Sequence, residues 1–555
     1  MSKLSYFRNT KEYNFIFDTI GSRVRYWAKI QPNKAALVVH MSDVRRSFIT
    51  FGELYEKAES LAKYYVSVGI TPGDRVAVFV YNSTEWLITS IAGSLAGVVS
   101  INSSTFASQK DLDFVKTIGC KLLVADMRDE KLKHFMTRNI EDLRSKGFAL
   151  KVIAVEDHND ASAETNFHKI LADMKSKDIS LPDNIDPEDL TTVFHTSGST
   201  GVPKFVPYSH MAVINNLLFL YTEMGLENND VFFCDRPMGY VAGSPMVIAV
   251  LGCTFVTLNT QSTVRDGLSR QVCKILKQEA VTCGYFPPYI LYDFEKLKLT
   301  APDQLPFFKT IVTSGQRLSK SLLRRFREFG EKLCLNYGTT ETAGVTLSNV
   351  DELPDVEDDL IGSPLPATEM KIVDEHGHVV PVNTDGEICV RNISTAKNYL
   401  TTDGQFVKLT DENGWFHTGD IGYMLDDEKS FCIKGRLVEI IKRSTIKIFP
   451  ASIEKVITKH PAIAEVVVVG IPDERMYQEV CACVIVKTGC DVSAADLETY
   501  ALEQFQPDLS PDGKGLMPGT FLTFETFPRL ASQKVDRRQI AELAKQRTSD
   551  ICDAD

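Results

Sequence analysis

Residues 195–204 read His-Thr-Ser-Gly-Ser-Thr-Gly-Val-Pro-Lys. Small residues let backbone N–H groups close around anionic oxygens, and a nearby cation offsets their charge. Thr196, Ser197, Gly198, Ser199, Thr200, Gly201 and Lys204 are therefore candidates for a phosphate cradle. The spacing Gly198-x-x-Gly201-x-x-Lys204 is not that of the G-x-x-x-x-G-K-[ST] loop, so that loop's geometry is not implied. A solvated Ser/Thr/Gly turn is the competing reading. Further polar groups follow apolar runs: Ser314-Gly315-Gln316 after 310–312, and Tyr337-Gly338-Thr339-Thr340-Glu341-Thr342 after 333–336. Asp420 ends Gly-Trp-Phe-His-Thr-Gly-Asp, Arg436 follows Gly435, and Lys534 lies in a basic polar segment. Each has a plainer reading alone: Tyr337 as core, Asp420 as a turn residue, Lys534 as solvated surface. His210, just past the first loop, reads as a helix-cap or structural histidine.

The elements that hold these groups alternate. Residues 51–68 repeat apolar side chains at helix spacing and stop at Gly69, 75–81 is a β-rich run, 86–96 a buried helix, and 97–101 and 121–125 are strands. This βαβ order predicts parallel sheets covered by helices, with ligands at the carboxyl ends of the strands. Apolar 192–194 before the cradle and 211–221 after it predict strand, loop, helix. Residues 237–264 carry no charge and read as a buried helix and strand lining a cavity, because Pro245, several glycines and many hydroxyls argue against a membrane span. Short runs at 386–390 and 431–434 predict a small β-barrel. Beyond Gly435-Arg436 the order becomes helix 451–459, strands 464–470 and 479–487, and helix 494–504, a separate α+β unit. The fold class is α/β: an N-terminal domain, 1–436, of two doubly wound αβ subdomains plus the barrel, and a small α+β domain, 437–555.

Composition narrows the partners. The 555 residues are 44% hydrophobic and 24% charged with a net charge of −12, which describes a globular chain of about three or four folding units. No basic stripe offers a nucleic-acid or anionic-membrane surface, and no transmembrane segment is read. Twelve cysteines without a paired framework fit a reducing compartment, and the close pair Cys481 and Cys483 lacks metal-ligand spacing. The first residues show no apolar signal core and the last no peroxisomal or lipid-anchor ending, so a cytoplasmic location is expected. Nothing read here sets an oligomeric state.

Taken in order, 195–204, 337–341, Thr418-Gly419-Asp420, Gly435-Arg436 and Lys534 resemble the adenylate-forming enzymes, which include acyl-CoA synthetases, beetle luciferases and peptide-synthetase adenylation domains. The resemblance spans roughly 25–540. It implies that a carboxylate attacks the α-phosphorus of ATP, expels pyrophosphate and forms an acyl-adenylate. It also implies that the loop from Thr196 to Lys204 holds the β- and γ-phosphates, Thr340 the α-phosphate, Glu341 a Mg²⁺ ion, and Asp420 with Arg436 the ribose. Tyr337 would stack on adenine, Gly338 and Thr339 would also bind the nucleotide, and Gly315 and Gln316 would line the base and acid sites. Tyr240, Gly243, Gly315 and Gly338 would line the acid pocket, and Lys534 would bridge the carboxylate and the α-phosphate. The C-terminal domain is then mobile, turning after adenylation to admit the CoA thiol.

The chain departs from that pattern in places. Val438 stands where the hinge usually has Asp or Lys, Ser444-Thr445 where two glycines are usual, and Phe205 where a glycine follows the loop lysine. Glycine packs closely and tolerates positive φ, and Thr445 does neither easily. No carboxylate falls near 239–240 to pair with an α-amine, and Asp235 is out of register. An apolar fatty or aryl acid fits the uncharged wall, since an unpaired charge there is costly. Three outcomes stay open: an acid–CoA ligase, an adenylating enzyme with another acceptor or an oxidative outcome, and a degenerate binding protein.

Overall fold

A computed structural model describes residues 3–552 apart from 42–44, 103–113, 146, 149, 157–165, 197–203, 260–267, 300–307, 316–319, 355–359, 402, 428, 444–445, 474–475, 506–515 and 531–533. Ser197, Gly198, Ser199, Thr200, Gly201, Gln316, Ser444 and Thr445 thus lie outside the described residues, as do the side chains of Thr196 and Lys204.

The βαβ alternation resolves into two eight-stranded sheets. In the first, Lys151–Val155, Leu122–Asp126, Arg75–Phe79, Val99–Asn102 and Leu190–Thr196 run parallel in that spatial order. Antiparallel Lys204–Ser209, Asn398–Leu400 and Phe406–Lys408 then extend it. The second sheet is parallel from Gly330–Thr339 through Phe308–Thr313, Cys283–Tyr285, Val231–Cys234 and Thr254–Leu258 to Ala35–His40. Antiparallel Ala343–Asn349 and Arg46–Thr50 flank it.

Burial on both faces explains the apolar strands. One core fills the space between the sheets: Val78 and Val124 of the first face Leu37 and Phe255 of the second across the helices Phe51–Ser67, Thr84–Ala96 and His210–Met224. The outer faces have their own cores, Leu123 with Met136 and Ile140 on one side, and Val256 with Leu276 and Phe294 on the other. Helix Phe51–Ser67 starts on a capping box, Thr50 with Glu53, where its apolar repeat begins. The uncharged stretch 237–264 becomes a turn at Val241–Gly243, a short helix Val247–Leu251 and the strand Thr254–Leu258. Phe255 and Val256 enter opposite cores, so part of that absence of charge is explained by a two-sided central strand.

Two expectations change. The cradle is not followed directly by a helix: Lys204–Ser209 forms a hairpin with Leu190–Thr196 and helix His210–Met224 starts only after it. Pro207, which has no N–H to donate, masked this strand in the sequence. The strands expected as a barrel form an antiparallel sheet, Tyr6–Arg8, Thr368–Val373, Gly386–Asn392, Phe416–Met424, Phe431–Arg436 and Leu360–Gly362 in order. Its core is completed by Val345 and Tyr337 of the second large sheet rather than by a strand-to-strand closure among the described residues.

After Arg436 the chain makes a short turn, Leu437–Glu439, in which Val438 is 74% exposed. It then forms a hairpin, Ile441–Arg443 with Ile446–Ile448, and a three-stranded sheet, Ile463–Asp473, Tyr477–Val486 and Thr520–Thr523, packed by helices Pro450–Ile457 and Ala494–Gln504.

Candidate active site

The acidic motif is a hairpin turn between Gly330–Thr339 and Ala343–Asn349. The ladder slips between Tyr337 and Gly338, and a Cβ on Gly338 would collide with the Ala343 carbonyl, so glycine is required there. Thr342 Oγ1 receives the Thr339 N–H at 3.2 Å and closes the turn. Two tyrosines of the first sheet then grip it. The Tyr208 hydroxyl donates to the Thr340 carbonyl at 2.8 Å, and the Tyr399 hydroxyl donates to Glu341 Oε1 at 2.6 Å. Burial, then the Glu341 charge, raises both phenol pKa values, so both remain protonated donors. Neither tyrosine carries a sequence signal, because each partner lies far away in the chain.

Glu341 is half-buried, and among the described residues no lysine or arginine forms an ion pair with it. A carboxylate held by one phenol and short of cationic partners suits a hard divalent ion, which takes oxygen ligands.

Asp420 is buried on Phe416–Met424, directly opposite Arg436 in the ladder. Arg436 Nε meets Asp420 Oδ1 at 2.8 Å and its Nη1 donates to the Thr418 carbonyl at 3.1 Å. The Tyr337 hydroxyl donates to Asp420 Oδ2 at 2.6 Å. Burial and then the Asp420 charge hold that phenol well above its ordinary pKa. Tyr337, expected beside adenine, is thus tethered by its hydroxyl with its ring half-exposed.

Lys534 comes to the same cluster from the C-terminal domain. Its side chain keeps an exposed surface, yet crowding lowers its ammonium pKa, Arg436 lowers it further, and Asp420 partly restores it. A backbone bond from Leu530 N–H to the Lys534 carbonyl, 2.8 Å, fixes its turn.

The pocket residues follow the carboxyl ends of neighbouring parallel strands. Gly315, with φ 86°, comes after Phe308–Thr313. The preceding Ser314 hydroxyl meets the Tyr285 hydroxyl at 3.2 Å. Tyr240 is half-buried and Gly243 buried beyond Val231–Cys234. Asp235 is consumed: Arg236 grips both its oxygens, at 2.9 and 2.6 Å, and the Tyr289 hydroxyl donates to it at 3.0 Å. It is therefore not free to receive an α-amine.

Thr196 and Lys204 are Cα partners, so the hairpin brings both ends of the cradle together. Phe205 is buried and stacks on Phe114 with 7° between the rings, which gives this departure a packing role. His210 is structural: buried at the start of its helix, its Nδ1 accepts the Ile20 N–H at 3.3 Å.

A hairpin with a phosphate-cradle sequence, an acidic turn held by two phenols, and an Asp–Arg pair approached by a lysine from a second domain define a nucleotide-activating enzyme. Residues 24–400 match the AMP-binding enzyme family and 452–514 the AMP-binding enzyme C-terminal domain, and the chain belongs to the AMP-binding enzymes, which use ATP. It is 27% identical over 541 residues to the human mitochondrial medium-chain acyl-CoA ligase ACSF2, covering 90% of this chain and 84% of that one. It is 27% identical to the putative acyl-CoA synthetase YngI of Bacillus subtilis, covering 95% and 97%. ATP-bound MatB of Rhodopseudomonas palustris superposes with a TM-score of 0.80 at 20% identity, over 96% of this chain and 99% of that one. The o-succinylbenzoate CoA synthetase MenE of Bacillus subtilis, in complex with its acyl-adenylate, gives 0.75 at 21%, over 95% and 98%.

Proposed function

We propose that the chain activates an apolar fatty or aryl carboxylic acid with ATP and transfers the acyl group to CoA, giving acyl-CoA, AMP and pyrophosphate. The observation that carries this reading is the approach of Lys534 to Asp420 and Arg436. It supports a nucleotide held between two domains, with a cation at the reacting phosphate.

In this reading Asp420 accepts the ribose hydroxyls while Tyr337 and Arg436 fix its carboxylate. Thr340 donates to the α-phosphate, the Thr196–Lys204 hairpin receives the β- and γ-phosphates, and Glu341 holds Mg²⁺. The ion screens phosphate charge. Lys534 steadies the negative charge that grows as the substrate carboxylate attacks phosphorus and pyrophosphate leaves. Arg436 ends the N-terminal domain, and the turn Leu437–Glu439 is the hinge on which residues 437–555 rotate to admit the thiol. The commitment of Asp235 to Arg236 and Tyr289 supports an acid without an α-amine.

The relatives named as CoA ligases favour CoA over another acceptor or an oxidative outcome. The compartment proposed is the cytoplasm, because the eleven cysteines whose side chains are described are free thiols, as a reducing compartment keeps them. Fractionation that puts the protein with mitochondria, as the animal relatives are named, would replace that location. The activity is tested by screening carboxylic acids with ATP, Mg²⁺ and CoA while measuring AMP and acyl-CoA separately. Equal amounts of both support the reading, and AMP without thioester overturns the CoA step.

A further inference from the structure

Beside the strand that carries Asp420, three side chains with metal-ligand chemistry converge. Glu387 and Cys389 lie on Gly386–Asn392 and His417 on the adjacent Phe416–Met424, with Cys389 and His417 opposite each other in the ladder. A shift in register between Glu387 and Cys389 marks a local irregularity of the kind that re-aims side chains. His417 Nδ1 lies 2.8 Å from Glu387 Oε2 and 3.5 Å from Cys389 Sγ, and the three ligand atoms fall within 4.8 Å of one another. Ligand atoms around a tetrahedral zinc are separated by roughly 3.3–3.6 Å, given Zn–S near 2.3 Å and Zn–N near 2.0 Å.

The Cys389–His417 spacing falls in that range, whereas the Glu387–His417 contact is shorter and the carboxylate would have to turn aside to admit an ion. The far ring nitrogen, His417 Nε2, is 3.9 Å from Asp411 Oδ2. Asp411 is itself fixed, because its Oδ1 accepts the N–H groups of Asn413 at 2.9 Å and Trp415 at 2.8 Å. The 3.9 Å separation is too long for a hydrogen bond, but it puts a carboxylate on the side of the ring where a zinc-bound imidazole usually has one. Cys389 is buried while the His417 side chain is 43% exposed, which leaves an entry path.

We propose that Glu387, Cys389 and His417 bind one zinc ion, with a fourth position for water. The site uses none of the residues assigned to ATP or Mg²⁺. Thiolate, carboxylate and neutral imidazole balance the two charges of the ion, and this mixed donor set suits zinc better than magnesium. Cys389 would bind as a thiolate, so zinc binding would release its proton to solvent. The site also borders the nucleotide cluster: Glu387 Oε1 accepts the N–H of Gly419, the residue before Asp420, at 3.0 Å.

The test uses full-length protein stripped with a chelator, titrated with zinc against a chromophoric competitor and, separately, with cobalt(II). One equivalent of zinc should bind, zinc should raise the melting temperature, and cobalt should give a thiolate charge-transfer band. Cys389→Ser and His417→Ala should each weaken zinc at least tenfold and abolish the stabilisation; the cobalt band should vanish in Cys389→Ser. Melting without metal identifies which variant is folded and can be scored. No tight zinc in the wild type, a cobalt complex without the sulfur band, or undiminished binding in a folded variant would overturn the proposal and leave a Glu–His ion pair against a buried thiol.

Discussion

The Tyr337 hydroxyl reaches Asp420 across the boundary between the second large sheet and the antiparallel sheet, 2.6 Å from Oδ2. Arg436 holds the other oxygen at 2.8 Å, so the carboxylate is oriented from two directions. Tyr337→Phe keeps the ring and removes one charge-assisted hydrogen bond, worth about 1.5–3 kcal/mol. The expected outcome is a rise in the KM for ATP of roughly tenfold or more with folding preserved. Pyrophosphate exchange measured over a range of ATP concentrations checks it, and an unchanged KM removes the tether from the nucleotide site.

Tyr399 acts on the proposed metal ligand rather than on the nucleotide. Tyr399→Phe frees one oxygen of Glu341 from its phenol, 2.6 Å away, and lets the carboxylate swing. The Mg²⁺ concentration for half-maximal adenylation should rise roughly tenfold, while Glu341→Gln should cost on the order of 10²-fold in rate. Titrating Mg²⁺ at saturating ATP separates the two effects. Equal Mg²⁺ dependence in wild type and Tyr399→Phe would leave the tyrosine a packing role only.

Lys534→Ala should reduce adenylation on the order of 10²-fold or more while sparing thioester formation from supplied acyl-adenylate. Crowding and Arg436 lower the ammonium pKa, so the charge is lost on the alkaline side earlier than for an ordinary lysine. Adenylation should decline on that limb, and Arg436→Gln should move the limb upward. A pH profile of pyrophosphate exchange with a good acid substrate reads both.

His210 ties stability to pH. Burial lowers its pKa from 6.5 to about 4, and its Nδ1 accepts a backbone N–H, so the folded ring is neutral. The unfolded chain takes up a proton below pH 6.5 that the folded chain refuses until about pH 4, so this contribution is complete above pH 6.5 and lost as pH falls. The loss is about 1.4 kcal/mol per pH unit across that window. Denaturant unfolding at pH 7 and pH 5 should show it, and His210→Asn should flatten the dependence.

What the sequence made legible is what local chemistry decides. Helix Ala494–Gln504 matches its expected ends because Ser493 and Asp496 form a capping box at its start. Tyr337, Glu341, Asp420, Arg436 and Lys534 could be named because motif order carried them. Strand Lys204–Ser209 was hidden by Pro207, which is tolerated because its ladder partner is Val193 on one side while Asn398–Leu400 pairs with this strand only at Phe205. Tyr208 and Tyr399 were invisible for another reason: a phenol that meets its acceptor across 132 or 58 residues leaves no periodicity to read. Asp235 reads as out of register in the sequence; its neighbour Arg236 binds it directly, and Tyr289 reaches it only once the strands Val231–Cys234 and Cys283–Tyr285 lie side by side.

The acidic turn belongs to one large sheet, and the two hydroxyls that hold it come from strands of the other. Both bonds, 2.8 and 2.6 Å long, need the two sheets in register, and a slip of about 1 Å would carry them beyond the 2.5–3.0 Å hydrogen-bonding range of hydroxyl donors. Neither sheet has to unfold for that to happen. The grip on the acidic turn is thus set by how the two sheets sit against each other, not by the stability of either one.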